Sequence, residues 1–318
     1  MTKTATLDDA EVSLPERRAN RPITILHRLE YGAAIFLFSF FRVIGIDASS
    51  TLAGKFMRVM GPLLRPVSRR AEDNLAMIFP DWDDAKIRRT TRDVWENLGR
   101  TAAEFPHLDK FHPLKEGGRI TVEGAERLQA IISGGKPAVL VSGHFANWEV
   151  NSITFYHYGL PYGFVYRAAN NPLVDELIIQ TRGKVMSRFQ IPKNKRGARA
   201  LVETLKAGRS LAMLVDQKLN DGIAVPFMGH EAMTAPAAAR LALKFNIPII
   251  PVSIERLKGA HFKVTIGAPL AFSPGGDASA DVLALTAKIN NALEKEIRAR
   301  PGEWLWFHRR WPKKKADA

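Results

Sequence analysis

Apolar and polar positions change period along this chain, and the changes mark its elements. Trp95, Leu98, Ala102 and Phe105 recur at three- and four-residue spacing, which predicts a helix over 69–105 that stops at Pro106. Residues 119–123 alternate and predict a strand, and Gly124–Ile132 predicts a helix closed by Gly134-Gly135. Pro137–Ser142 is a short apolar run, the pattern of a strand buried on both faces. A loop and a helix follow it. The pattern then repeats: strand Gly163–Tyr166, helices Leu173–Arg182 and Arg196–Ala207, strand Leu211–Val215, helix Ala237–Phe245, strands Pro248–Ile254 and Phe262–Ile266. Leu285, Ile289, Leu293 and Ile297 step by four through Asp281–Arg298, an amphipathic helix that ends before Pro301. Strands alternating with helices predict an α/β fold, one mostly parallel sheet with helices on both faces in an αβα sandwich.

Upstream the pattern differs. Residues 1–20 are polar and mixed in charge, without the apolar core and cleavage site of a signal peptide. The uncharged run Tyr31–Phe41 is only 11 residues, where a spanning helix needs roughly 20. Residues 21–68 are therefore expected to form a membrane-associating helical region, with a helix lying in the interface or entering it shallowly. The alternative is a helix buried in the core. Basic residues flank the run on both sides, so they give no orientation. A catalytic domain over 69–312 and a basic tail over 313–318 complete the division.

Composition narrows the function classes. The 318 residues include no cysteine, which excludes disulfides, thiolate metal sites and a Cys nucleophile. A formal charge of +14 attracts polyanions: nucleic acid, anionic lipid or an acidic carrier protein. No zinc-finger or RNP-type signature is present, so no nucleic acid is expected as partner. A soluble protein with a basic surface, or a non-catalytic binder of anionic membrane or nucleic acid, are the alternatives. His230-Glu231 lacks the second histidine of a zincin, because position 234 is Thr. There is no Gly-x-Ser-x-Gly elbow and no P-loop. No metal site is expected, and without a Cys or a serine elbow a covalent acyl-enzyme is not expected either.

Chemistry concentrates in Gly143-His144-Phe145-Ala146-Asn147-Trp148-Glu149, directly after the buried strand. Catalytic groups in open α/β sheets gather at the carboxyl ends of strands. Residues five apart do not share one helix face. The pair works if His144 lies in a turn and Glu149 in the first helical turn, its carboxylate folded back on one ring nitrogen. That fixes the tautomer and leaves the other nitrogen to accept a proton from an alcohol. A structural His beside a solvated Glu is the bland alternative.

The His-x4-Glu spacing of His144 and Glu149 resembles the box of glycerolipid acyltransferases. The wider pattern is similar to the late acyltransferases of lipid A biosynthesis, the lauroyl/myristoyl transferase family. Trp95-Glu96-Asn97-Leu98-Gly99-Arg100 with Glu104 resembles the family's pre-catalytic helix. Tyr166-Arg167 with Asn171-Pro172, Leu214-Val215-Asp216-Gln217, Val225–Gly229 and Thr234-Ala235-Pro236 resemble further stretches, in order, over residues 25–312. The resemblance implies a glycerolipid-acyltransferase-like αβα domain behind an N-terminal hydrophobic helix. It implies an acyl-carrier-protein thioester as co-substrate, with no cofactor, and a lipid A precursor as acceptor. It also implies an anionic membrane surface as partner, with the catalytic domain on the cytoplasmic face of a bacterial inner membrane. Another glycolipid or a lysophospholipid is the alternative acceptor.

The residues carried over keep alternatives. Arg167 ends a strand and could grip a phosphate, or be a surface Arg. Asp216 could bind a sugar hydroxyl, orient Arg167 or cap a turn, and Gln217 stands beside it. Asn147 holds the His loop or caps the helix. Arg100 and Glu104 have a structural role beneath the site as the default. The Lys193–Arg199 run is a solvated face or a landing patch for acidic carrier or lipid phosphate. Trp304, Trp306 and Trp311 anchor at a lipid interface or pack the C-terminus. Backbone N–H groups of the His144 loop and of the helix start after it are the candidates for oxyanion donors.

Overall fold

The computed structural model describes residues 22–312. Helices α1 (Ile25–Ile44) and α2 (Ile46–Met60) meet at Gly45. Its φ of +81° is a conformation that side chains resist, so one helix ends and the next begins within a single residue. Next come α3 (Arg65–Ile78) and α4 (Asp84–Glu104), where the spacing predicts one helix over 69–105. The break has local causes. Pro80 has no N–H to continue the ladder. Phe79 stacks on Trp82 at 4.1 Å, and the Asp83 carboxylate caps α4 by accepting the Lys86 N–H at 2.7 Å.

The alternating region then runs β1 (Ile120–Glu123), α5 (Ala125–Gly134), β2 (Val139–Ser142), α6 (Glu149–His157), β3 (Tyr162–Tyr166) and α7 (Pro172–Arg182). It continues with β4 (Gln190–Pro192), α8 (Lys195–Lys206), β5 (Ser210–Leu214), β6 (Lys218–Phe227), β7 (His230–Thr234), α9 (Ala237–Phe245), β8 (Ile249–Arg256), β9 (Phe262–Ile266) and α10 (Ala278–Ala299). Seven strands form one sheet in the order β1-β9-β8-β2-β5-β3-β4, and β6 pairs with β7 in a separate hairpin. Neighbours in the large sheet are parallel except β8 and β9. The exception follows from the connection. The Leu257 N–H reaches the His261 carbonyl at 2.8 Å, and a link that short can join only antiparallel neighbours. The molecule is thus mixed α/β with a mostly parallel central sheet.

All four residues of β2 are buried, between β5 and β8. Its register with β5 pairs Ser142 with Leu214, so the two strands end at the same level. That coincidence builds the site.

At the N-terminus, α1 buries no residue, which overturns the buried-helix alternative. It is held by polar bonds along one side. Asn171 Nδ2 donates to the His27 carbonyl and to Glu30 Oε2, both at 2.8 Å, and Arg42 donates to the Pro106 carbonyl at 2.6 Å and to Asp109 at 3.0 Å. The other side exposes Ile25, Leu29, Phe36 and Val43, the last to 85%. On α2 and just beyond it, Phe56, Val59, Leu63 and Leu64 are exposed as well. No described helix is long and apolar enough to cross a membrane. The polar segment 1–20 and the tail 313–318 lie outside the described residues.

Candidate active site

His144 lies two residues past β2 and Asp216 two residues past β5. Because those parallel neighbours end in register, 72 residues of sequence separation close to hydrogen-bond distance. His144 Nδ1 and Asp216 Oδ1 are 2.8 Å apart, and the His144 backbone N–H donates to Oδ2 at 2.9 Å. Trp304 Nε1 donates to the same Oδ2 at 2.8 Å. Asp216 is 1% exposed. Burial alone would raise its pKa, but the His144 charge, the imidazole and backbone hydrogen bonds and the Trp304 N–H outweigh that. Together they hold the carboxyl well below the usual range.

The expected pairing of His144 with Glu149 is therefore corrected. Glu149 is the first residue of α6, as expected, but its carboxylate turns to Arg182 at the end of α7. Arg182 Nε and Nη2 meet it at 2.9 and 2.5 Å. The guanidinium fork takes both carboxylate oxygens, and the imidazole is satisfied by the closer, buried Asp216.

The loop between β2 and α6 is strained and clamped. Ala146 has φ +42°, a left-handed conformation uncommon for a residue with a Cβ. Its carbonyl accepts from Asn97 Nδ2 at 3.1 Å and Thr101 Oγ1 at 2.8 Å, both on α4. The C-terminal segment runs alongside: the Ala146 N–H donates to the Glu303 carbonyl at 3.0 Å, and the Leu305 N–H to the His144 carbonyl at 3.2 Å. These bonds narrow the expectation for the oxyanion donors. The N–H groups of His144, Phe145 and Ala146 are engaged by Asp216, the Gly143 carbonyl and the Glu303 carbonyl.

A cavity of about 280 Å³ opens beside the imidazole. His144, Glu149, Arg167, Arg182, Lys193 and Gln217 supply its polar wall, and Leu140, Phe155, Phe164, Ala212 and Val252 its apolar wall. Arg167 and Lys193 have no carboxylate ion pair among the described residues, so the mouth is cationic. Elsewhere in the Lys193–Arg199 run, Arg199 is exposed and bonds Glu203 at 2.7 Å, and the side chains of 195 and 196 lie outside the described residues.

Three carried-over residues stand behind the site rather than in the cavity wall. Asn147 is fully buried and donates to Glu104 Oε2 at 2.9 Å. Glu104 also pairs with Arg256 and accepts from Ser50 Oγ at 2.7 Å. Arg100 does not pair with Glu104 but with Glu96, at 2.6 Å. Trp304, Trp306 and Trp311 are all buried, which selects packing over a lipid anchor.

Sequence reasoning missed Arg182 and His308. His308 Nε2 lies 2.9 Å from Gln217 Nε2, which is 3.3 Å from His144 Nε2. Arg182 closes a helix whose amphipathicity gave it no distinction, and His308 sits in the irregular C-terminal segment, where no periodicity points.

The profile of the bacterial lipid A biosynthesis acyltransferases matches residues 21–313. The chain is 27% identical to the lipid A biosynthesis lauroyltransferase of Escherichia coli, over 78% of this chain and 81% of that one. It is 26% identical to a lipid A biosynthesis acyltransferase of Haemophilus influenzae, over 76% of each. With the lipid A biosynthesis palmitoleoyltransferase of Escherichia coli it shares 24% identity, over 79% of this chain and 82% of the other. The chain belongs to the bacterial lipid A biosynthesis acyltransferase family.

Proposed function

We propose that the protein moves a fatty acyl chain from an acyl-carrier-protein thioester to a hydroxyl of a lipid A precursor, as a late, secondary acylation. The observation that carries the chemistry is His144: its Nδ1 side faces a buried carboxylate and its Nε2 side a cavity. Asp216 fixes the Nδ1–H tautomer and stabilises the imidazolium. Nε2 removes the proton of the acceptor hydroxyl as its oxygen bonds the thioester carbonyl carbon. The tetrahedral intermediate collapses, the C–S bond breaks, and the thiolate leaves and collects the proton from Nε2. Such base catalysis contributes typically about 10²–10⁴-fold. No other cofactor enters this balance.

Family membership supports the acyl transfer and its place in lipid A biosynthesis. Arg167 and Lys193 at the mouth suit an anionic donor or acceptor, the phosphodiester of a carrier arm or a lipid phosphate. The apolar wall suits the acyl chain. The exposed apolar faces of α1 and α2 suit a helix pair lying in the interface of an anionic membrane, here the cytoplasmic face of the bacterial inner membrane. Glu149, paired with Arg182, positions the cavity wall.

Purified protein, acyl-loaded carrier and a lipid A precursor in mixed micelles test this directly. Mass spectrometry is expected to find one added acyl chain with wild-type protein and none with His144→Ala. A folded His144→Ala protein with near-normal turnover would refute the mechanism. Lipid A from a deletion strain that keeps all its secondary acyl chains would refute the substrate.

A further inference from the structure

The tetrahedral intermediate puts a negative oxygen next to His144, where the backbone N–H groups of His144, Phe145 and Ala146 are already engaged by Asp216, Gly143 and Glu303. One neutral side-chain amide points at the reacting nitrogen. Gln217, the residue after Asp216, places its amide nitrogen 3.3 Å from His144 Nε2 and 2.9 Å from His308 Nε2. We propose that Gln217 donates the hydrogen bond that stabilises the oxyanion, and that His308 is the positioning residue that keeps its amide N–H turned toward the reaction. The inference rests on the acyl-transfer reading above.

The orientation follows from proton counting. Asp216 holds the His144 proton on Nδ1, so Nε2 carries a lone pair and faces a donor. An amide NH₂ has two hydrogens, and here they meet two imidazole Nε2 atoms. His308 must then also present a lone pair at Nε2 and keep its proton on Nδ1. The shorter bond goes to His308, so that bond anchors the amide. The longer one, to His144, is the one an arriving hydroxyl displaces. Once displaced, the freed N–H remains within reach of the oxygen that bonds to carbon, where a donor aimed at developing charge acts most strongly.

The device has an acid side. A protonated His308 carries N–H on Nε2 and can no longer accept from Gln217. The amide then turns its oxygen toward the site, where it repels an oxyanion. The charged groups facing His308 are His144 after β2, Asp216 after β5, Arg167 after β3 and Arg70 on α3. Burial, with the charges of His144, Arg70 and Arg167, lowers the His308 pKa against the pull of Asp216, which keeps the ring neutral near pH 7.

The test uses the full-length protein with acyl carrier and acceptor. Gln217→Ala is expected to lower kcat about 100-fold or more, the usual effect of losing one oxyanion donor, with both KM values within about threefold. His308→Leu is expected to lower kcat about tenfold, less than loss of the donor itself, because the amide remains in place. His308→Gln keeps an acceptor at the same reach without titrating and is expected to restore most of that loss. On the acid side, kcat is expected to fall further in wild type than in His308→Gln, by at least the tenfold that His308→Leu loses. In the free protein, ¹⁵N NMR is expected to show both imidazole Nε2 signals move in Gln217→Ala. An active wild type with a folded Gln217→Ala variant within fivefold of its kcat overturns the proposal alone. So does an acid-side fall as large in His308→Gln as in wild type, or Nε2 signals that do not move. A wild type that transfers no acyl chain overturns the acyl-transfer reading, and this proposal with it.

Discussion

Asp216→Asn separates the two carboxylates that compete for the role behind His144. Oδ2 accepts two N–H groups, from the His144 backbone and Trp304 Nε1, and Oδ1 faces the His144 ring. Asparagine has one oxygen to offer. Placed at the Oδ2 position it satisfies two donors, and its NH₂ then faces Nδ1. The imidazole answers by moving its proton to Nε2, where it blocks the base. Placed the other way, the amide sets its NH₂ against two N–H groups, which costs about 1–3 kcal/mol for each unmet buried group. The first arrangement wins, and the tautomer is wrong. The expected loss in kcat is about 10³–10⁴-fold, near the effect of the same swap in a serine-protease triad, and corresponds to roughly 4–5.5 kcal/mol in the barrier. Acyl transfer from a labelled carrier thioester reads kcat, thermal unfolding checks the fold, and ¹⁵N NMR of His144 reads the tautomer directly. A folded Asp216→Asn protein within tenfold of wild-type kcat, or with the proton still on Nδ1, refutes this reasoning.

Other perturbations follow from the same contacts. Glu149→Gln strands the partly buried Arg182 guanidinium and is expected to destabilise the fold by about 1–3 kcal/mol; adding Arg182→Gln is expected to recover part of that loss in denaturant melts. At Gly143, a Cβ would lie 2.6 Å from the Phe145 ring and 3.3 Å from Asp216 Cγ, so Gly143→Ala is expected to cost about 1–3 kcal/mol and to reduce turnover, measured side by side. Leu29→Asp, Phe36→Asp and Val43→Asp together are expected to weaken flotation with anionic vesicles and to leave the melting temperature nearly unchanged, because all three side chains are exposed.

Much of the sheet was legible because its strands are short apolar runs separated by periodic helices. α9 and β9 match their predicted bounds, Ala237–Phe245 and Phe262–Ile266. What the chain concealed had little apolar signal. β4 is three residues long, and the β6–β7 hairpin carries Asp221, Gly222 and Pro226 in place of clean alternation. His144 was visible at the end of a buried strand. Its partner was not, because choosing Asp216 over Glu149 needs the strand order. Nothing local in the sequence says that β5 lies beside β2. In the structure each residue stands two positions beyond its strand, an offset that parallel in-register neighbours turn into proximity. The hydrophobic N-terminal run predicted a surface helix too short to span, and α1 has that exposed apolar face.

The C-terminal segment gives the site a dependence that neither strand supplies. Trp304 reaches Asp216 only because residues 303–305 run along the His144 loop, with an isolated bridge between Phe145 and Trp304. Trp304→Phe keeps the aromatic packing and removes one of the three N–H groups that hold the carboxylate charged. Burial, the largest influence on Asp216, already favours the neutral acid, so the loss moves its folded pKa up toward the ordinary range. A depressed carboxyl pKa stabilises the fold above its unfolded value, about 3.9, and that stability disappears as pH falls through the folded pKa. In Trp304→Phe the loss is complete at a higher pH and the total is smaller, by about 1.4 kcal/mol for each unit of upward movement. Denaturant melts between pH 2 and pH 7 are therefore expected to separate the variant from wild type most at neutral pH, with the gap closing as pH falls. A gap that stays constant across that range would mean that Trp304 stabilises by packing alone and that its N–H does not hold the Asp216 charge.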